Sequence, residues 1–580
     1  MTGRPAARWL GVGSLLLCLS LRLAGAGRLP VFIDEAIHLA QAREAWFAGA
    51  WLHPGIARYL PTWLNALVAV HAPDPLLALR VTSGVFGTLS AAGLLALGFG
   101  NAQPWAGVVA AALYAVVPYG VVHDRVGLVD PLLTTLLVWS VVVASRWREG
   151  PSLPRTVVLG LLAGGMLLTK PYGALALAVP ILFAPRRPSG RWNWQAVAGA
   201  FLVAALAATP LWVDLRSVAG IVATGQGSAT WADLSESILR LVEAGRWLAI
   251  YLTPSGVALA ALALLRQWTG GRAPWRVLAV WVVWCPLLAI ALALQTAFAQ
   301  FPRHLLPSVP LLLYVIASEV TALFVGRARW LLSAGLAIFG VQSLVLDAAW
   351  IGDPRSAPIV PVDHWQYVTG WPSGYGLREV SDRLRAERRS GPVVVLRDSQ
   401  WVPLSLGLDL HLAGADVVTV DVPGDAPAWA EQVPGLLAQG KQVCLAREAP
   451  AEGAIPVLDL AASKIVSPTL HVEKPEGMLA VELLPVTGCG ADRTRTPCSA
   501  PTDPDAVELA GCGAAAAVGG SYSAAVDWLS RAHEKDPGDI TIRYDLGVVL
   551  AAAHRATGDG AAYRPSTKAD CSGERALQAR

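Results

Sequence analysis

The sequence predicts a polytopic α-helical membrane protein with a C-terminal soluble region of α/β character. Three observations carry this reading. The 580-residue chain is 54% hydrophobic and 15% charged, with a mean hydropathy of +0.48, too apolar for a soluble protein of its size. Its apolar residues recur in runs close to the roughly 20 residues that a helix needs to cross a bilayer. Beyond about Asp353 the runs stop, and short polar and apolar stretches alternate. The expected organisation is a membrane body over 1–350, an extracytoplasmic α/β domain over 351–487, a linker over 488–520, a helical segment over 521–563 and a disordered tail over 564–580. The net charge of +3 is small, and Lys and Arg sit at span ends, so no nucleic-acid partner is indicated.

Sidedness follows from the basic residues, which collect in cytoplasmic loops. Arg4 and Arg8 precede a first span at about 8–28. Later clusters are Arg146, Arg148 and Arg155; Arg186, Arg187 and Arg191; Arg266, Arg272 and Arg276; and Arg327 and Arg329. Ten further spans put every cluster inside: about 81–99, 105–121, 129–146, 156–169, 172–184, 195–213, 246–266, 277–296, 305–324 and 330–348. The fifth and sixth are short and read equally as one hairpin. The apolar stretch 60–72 reads as an interfacial or re-entrant helix, since counting it as a crossing would invert the later clusters. The first span is either a retained anchor or a signal peptide ending at Ala24-Gly25-Ala26. Arg22 in its apolar core favours the anchor.

With this parity, the other ionisable residues of the membrane body collect on the outer face. They are Asp34 and Glu35, then His123, Asp124, Arg125 and Asp130 in "VVHDRVGLVD", Lys170 in "LLTKPYG", Asp214 and Arg216, and Arg303 and His304 in "FPRHLLP". Each has a plainer reading. A single Arg or Lys at a span end is commonly an interfacial anchor. Asp130, before Pro131, reads either as a helix N-cap or as a functional carboxylate. His123 and His304 read as interfacial hydrogen-bonders before ligands. No His or Cys pairs show metal-ligand spacing, and there is no P-loop or G-x-G-x-x-G. One carboxylate suffices to start the helix after Val31, so two suggest a base and a partner. Glu319, within the tenth span, has no role in this scheme.

The order of these features resembles a known family. An acidic pair follows the first span, R-x4-D runs from Arg125 to Asp130, and "GLLAGGMLLTKPYG" and "FPRHLLPSVPLLL" come later. This is similar to the GT-C fold glycosyltransferases of family 39. They comprise the dolichyl-phosphate-mannose–protein mannosyltransferases and bacterial relatives such as the aminoarabinose transferases. "YVTGWPSGYGLREV", from Tyr367, looks like a segment that follows the last span in bacterial members. The resemblance covers about residues 28–380. It implies a multi-pass plasma-membrane enzyme that uses a polyprenyl-phosphate-sugar donor on the extracytoplasmic side. Its acceptor would be a lipid, glycan or protein. By the resemblance, Asp34 matches the catalytic acid, Glu35 its neighbour and Asp130 the acid opening a middle span. Lys170 and Arg303 match basic residues that meet the lipid phosphate, with Arg125 and His304 beside them. Family members more often have Tyr where this chain has His304, and the chain lacks the large luminal insertion of the eukaryotic enzymes. These departures leave sugar and acceptor open.

The chemistry implied is inverting transfer of a hexosyl or pentosyl group. Asp34 would take the acceptor proton, while Lys170 and Arg303 stabilise the leaving phosphate. No cofactor is expected, although a divalent cation is compatible with a phosphate donor. Two other classes compete. A transporter or flippase of a lipid-linked substrate would use the outer charges as a gate, but transporters commonly place such groups near the midplane. A membrane-anchored interaction protein would leave the cluster without a purpose.

In the soluble region, "GPVVVLRDS", "ADVVTVDVP", "KQVCLARE" and "MLAVELLPV" read as strands and "GYGLREVSDRLRAE" as an amphipathic helix. Ala525, Leu529, Ala532 and Pro537, with Leu546-Gly547, fit part of a tetratricopeptide-like repeat or a plain amphipathic hairpin. Cys489, Cys498, Cys512 and Cys571 are expected outside with Cys444, and Cys18 and Cys285 in spans. The odd total of seven supports no disulfide framework.

Overall fold

A computed structural model describes residues 4–52, 58–187, 189–213, 234–270, 274–294, 301–324 and 329–389, and shorter stretches of the remainder: 392–398, 407–408, 411–412, 417–422, 442–450, 470–475, 479–486 and 522–535. The chain divides into two compact units, Met1–Ser373 and Gly374–Arg580.

The first unit is helical. Its opening helices are α1 (Arg4–Leu23), α2 (Ile33–Phe47), α3 (Tyr59–Val68), α4 (Pro75–Gly100), α5 (Pro104–Val116), α6 (Pro118–His123), α7 (Asp130–Glu149) and α8 (Leu153–Leu167), and α9 (Ala178–Leu182) and α10 (Trp194–Ala207) follow. Proline at the first helical turn, as at Pro75, Pro104 and Pro118, starts several of them, because that turn has no intrahelical acceptor for an N–H. Among the described residues, six helices are long and apolar enough to cross a membrane: Pro5–Arg28, Pro75–Gly100, Leu234–Trp268, Trp275–Ala293, Pro302–Leu323 and Arg329–Gly352. Four shorter apolar helices, Pro104–Val116, Leu153–Leu167, Pro171–Leu182 and Trp194–Ala207, fall on other expected spans. α3 has 10 residues, so it rises only ~15 Å and is too short to cross.

Small residues let these helices approach closely. Gly160 and Gly164 on α8 face Ala200 and Ala204 on α10. A Cβ at Gly160 would lie 2.7 Å from the Ala200 carbonyl oxygen, and one at Gly164 2.9 Å from that of Ala204. This is small-xxx-small packing, suited to helices that gain little from apolar burial in lipid. The Leu234–Trp268 helix is interrupted at Thr253, whose φ of 63° lies outside the helical region, directly before Pro254. The Trp275–Ala293 span carries a π-turn over Val283–Leu287 around Pro286.

Some buried charges are paired across the bundle. Arg22 Nε lies 2.8 Å from Asp124 Oδ2, both fully buried, and its other nitrogens donate to the carbonyls of Cys18, Tyr114 and Ala115. Gly87 makes the room: a Cβ there would sit 2.2 Å from Asp124 Oδ2. Glu319 also finds partners, with Gln267 Nε2 donating to it at 2.5 Å and Arg266 Nε 3.8 Å away.

The segment 351–373, expected in the soluble domain, belongs to the first unit. Backbone pairing explains this. Ile33 N–H donates to the Pro372 carbonyl at 3.0 Å, and Phe32 forms an antiparallel bridge with Ser373. The second unit contains the Leu377–Arg388 helix and a five-stranded sheet of order β2-β1-β3-β5-β4. The strands are β1 (Val393–Asp398), β2 (Val418–Val422), β3 (Gln442–Pro450), β4 (Leu470–Glu473) and β5 (Leu479–Val486). β1 runs parallel to β2 and β3, and β5 antiparallel to β3 and β4. β1, β2, β3 and β5 fall on the four expected strands, and β4 is additional. Tyr522–Lys535 is a helix with Leu529 and Ala532 buried. Pro537, Leu546 and Gly547 lie outside the described residues, as do Cys489, Cys498, Cys512 and Cys571; Cys18, Cys285 and Cys444 are free thiols.

Candidate active site

α2 starts on the acidic pair, and the two carboxylates divide the work. Phe32 is the N-cap residue, and its N–H donates to Glu35 Oε2 at 2.8 Å. Glu35 therefore satisfies the helix start, a function of an acid at the third helical position. Asp34 is left for other partners. Its side chain is 21% exposed, and its Oδ2 lies 3.2 Å from Arg303 Nη2. Arg303 opens the turn Pro302–Ser308 before the Val309–Leu323 helix. Its Nη1 donates to Gln366 Oε1. The guanidinium carbon sits 4.4 Å from the Phe301 ring centroid and 5.2 Å from that of Phe32. Two aromatic faces thus confine a buried cation.

A second ion pair is built from α7 and α8. Val129 is the N-cap of α7 and makes no side-chain cap bond, so Asp130 is not the capping residue. Asp130 Oδ1 instead accepts from Lys170 Nζ at 2.6 Å and from the Tyr172 hydroxyl at 2.8 Å. Lys170 follows the end of α8, directly before Pro171. The Tyr172 and His304 rings lie 5.7 Å apart, which brings Arg303's neighbour to the same place. Among the described residues, Asp130 Oδ2 and His304 Nδ1 are buried without a hydrogen-bond partner.

Arg58, before α3, completes the set. Its Nη1 lies 3.2 Å from His38 Nε2 on α2. Burial, with Arg58 beside it, pulls His38 down to about 3, so the neutral ring accepts from the guanidinium. Arg58, Lys170 and Arg303 carry three positive charges against the two carboxylates of Asp34 and Asp130, leaving one charge for an anion. Burial works against the charge of Asp34, but Arg303, Arg58, His38 and Lys170 together hold its carboxyl below the usual range. A carboxyl lowered in the folded state stays ionised above its unfolded value and loses charge only as pH falls through the folded one. Asp34 is thus ionised at neutral pH. If Asp34 acts as a base, Arg303→Gln should move the acid limb of the pH–rate profile to higher pH. Values of kcat/KM for the donor between pH 4 and 8, which report the empty site, check this, and an unmoved limb would detach Asp34 from Arg303 in function.

Glu35 and Arg125, also expected at the site, have their partners elsewhere. Glu35 is fully buried; Oε1 accepts from Arg80 Nε and Gly127 N–H, and Oε2 from Arg80 Nη2 and Phe32 N–H. Four donors occupy its lone pairs, so it has none for an acceptor. Arg125 is buried and donates through Nη2 to the Ala24 carbonyl. His123 lies in a second buried cluster, its Nε2 3.4 Å from Asp363 Oδ2, to which the Tyr251 hydroxyl donates at 2.5 Å. Burial pushes the Asp363 carboxyl up to about 7, against the Tyr251 hydrogen bond and Arg303. Asp214 and Arg216 lie outside the described residues.

Sequence reasoning missed Arg58, His38, Tyr172 and Gln366. Tyr172 stands two places after Lys170 in a stretch already singled out, and Gln366 directly precedes the Tyr367 segment. Arg58 and His38 flank the acidic pair and α3 without a pattern of their own. Among the described residues no three of His, Cys, Asp and Glu gather as a metal-ligand set.

No family model matches this chain, and no curated protein matches it. Solved structures do. ArnT from Cupriavidus metallidurans in the apo state is similar with a TM-score of 0.53 and 13% identity, over 83% of this chain and 98% of that one. The same protein bound to undecaprenyl phosphate gives 0.52 and 13% over the same shares. The oligosaccharyltransferase of Archaeoglobus fulgidus, tethered to an acceptor peptide, gives 0.43 and 11%, over 77% of this chain and 69% of that one. The likeness to ArnT extends over nearly all of that protein, and the chain has its fold, the GT-C fold.

Proposed function

We propose that the protein is a membrane glycosyltransferase. It moves a sugar from a polyprenyl-phosphate-linked donor to an acceptor hydroxyl on the extracytoplasmic face, with Asp34 as general base. One observation carries this reading: Asp34, Asp130, Lys170, Arg303 and Arg58 converge from separate helix termini with one positive charge in excess. A lipid-linked phosphodiester carries one negative charge, which fits that surplus. ArnT, which shares the fold, has been solved with undecaprenyl phosphate.

The partly exposed edge of Asp34 accepts the proton of the acceptor hydroxyl. The acceptor oxygen attacks the anomeric carbon as the bond from that carbon to the phosphate oxygen breaks. The leaving phosphate takes the electron pair and gains a second negative charge. Lys170 and Arg303 are placed to stabilise that growing charge. A single in-line displacement inverts the anomeric centre. The reaction needs no cofactor, and a divalent cation on the phosphate is compatible with it.

The test is transfer by purified protein from polyprenyl-phosphate sugars, hexosyl and pentosyl. Lys170→Ala and Arg303→Ala should each raise donor KM with little change in acceptor KM. Loss of one charge-assisted contact costs on the order of 1.5–3 kcal/mol, about a 10- to 150-fold effect. Unchanged donor kinetics in both variants would make these residues interfacial anchors, and failure of every such donor would return the flippase reading.

A further inference from the structure

We propose that Arg303 works in two positions, on Asp34 in the empty site and on the donor phosphate in the loaded one, and that Gln366 is the positioning residue that holds its guanidinium at the pivot. The proposal rests on the lipid-phosphate reading above.

The two acceptors of Arg303 differ. Asp34 is charged and 21% exposed, whereas Gln366 is neutral and 1% exposed. An arriving phosphate competes at the exposed edge, for the nitrogen that Asp34 holds. The buried contact with Gln366 is out of its reach. Gln366 Nε2 donates to the Val362 carbonyl at 3.3 Å, which turns the amide oxygen toward Arg303. A neutral amide holds the cation without cancelling its charge, so full charge remains for the phosphate.

The frame around the arginine is fixed. The segment carrying Gln366 is stitched to the element carrying Asp34 through Ile33–Pro372 and Phe32–Ser373 pairing. The Phe32 and Tyr367 rings meet edge to face at 5.0 Å. Arg303 comes from a different element and has a long side chain. It is therefore the part that moves, and the Phe32 and Phe301 rings limit where it can go. The exchange also has a chemical consequence. Asp34 loses its nearest cation only when donor is bound, so its proton affinity rises at that moment. The acceptor is then activated only in a loaded site.

Undecaprenyl phosphate is the probe, and its affinity for full-length protein in nanodiscs is the measurement, read by native mass spectrometry. Asp34→Asn should bind it about tenfold more tightly than wild type, because the lipid no longer competes with a carboxylate. Gln366→Leu should bind it about tenfold more weakly at unchanged stoichiometry, and Gln366→Glu more weakly still, because a second carboxylate captures the arginine. Should Gln366→Leu fail to fold, the opposed shifts in Asp34→Asn and Gln366→Glu carry the test. Equal or weaker binding by Asp34→Asn would overturn the exchange. A reduced binding-competent fraction with wild-type affinity in both Gln366 variants would make that residue purely structural. No binding by wild type would instead overturn the lipid-phosphate reading.

Discussion

Asp34→Asn should insert and fold normally yet lose roughly 10²–10⁴-fold in the rate of sugar transfer, the contribution of a general base. The substitution nearly preserves volume, and its amide oxygen can still accept from Arg303 Nη2, which now stands 3.2 Å away. Arg303 also keeps Gln366 and two aromatic faces. The start of α2 is not at stake, because Glu35 makes the bond to the Phe32 N–H. What Asn cannot do is take a proton. The loss should fall on kcat, since neither donor contact nor helix start is removed. The measurement is single-turnover transfer from a polyprenyl-phosphate sugar, with thermal unfolding as the control for folding. Near-normal turnover would defeat the mechanism, and Asp34 would then be only the counterion of Arg303.

The helices were legible because a membrane demands a long apolar run, and that demand is written locally. The strands β1, β2, β3 and β5 were legible as short β-branched runs, whereas β4 has four residues and little to distinguish it. The clustering of several candidate residues was legible too. Asp34, Asp130, Lys170, Arg303 and His304 were singled out, and they gather at helix ends. Partner choice was not legible. Asp34 and Glu35 are neighbours of like charge, yet one faces Arg303, 269 residues on, and the other Arg80, 45 residues on. Arg22 and Asp124 are 102 residues apart. Such pairings are set by helix packing and leave no spacing in the sequence. The Asp130 alternatives show the same limit: a cap and a salt bridge both call for an acid before Pro131, and only the position of Lys170 separates them.

Glu35→Ala should destabilise the protein by on the order of 3–5 kcal/mol, the cost of leaving a buried charge without its partner. Glu35 and Arg80 are both fully buried, with 2.7 Å between Oε2 and Nη2. Arg80 also donates to the carbonyls of Ala26, Leu29 and Pro30, which fixes the chain between α1 and α2. Removing the carboxylate strands this arginine and the N–H groups of Gly127 and Phe32 together. Glu35→Gln should recover part of the stability, but its amide nitrogen would face a donor on at least one side. Lower yield and a lower unfolding temperature are expected, while the folded fraction keeps wild-type KM for both substrates. This separates the two acids of the pair: Asp34→Asn spares stability and removes turnover, and Glu35→Ala does the reverse. A Glu35→Ala protein with wild-type unfolding temperature and a selective rise in acceptor KM would return Glu35 to the substrate.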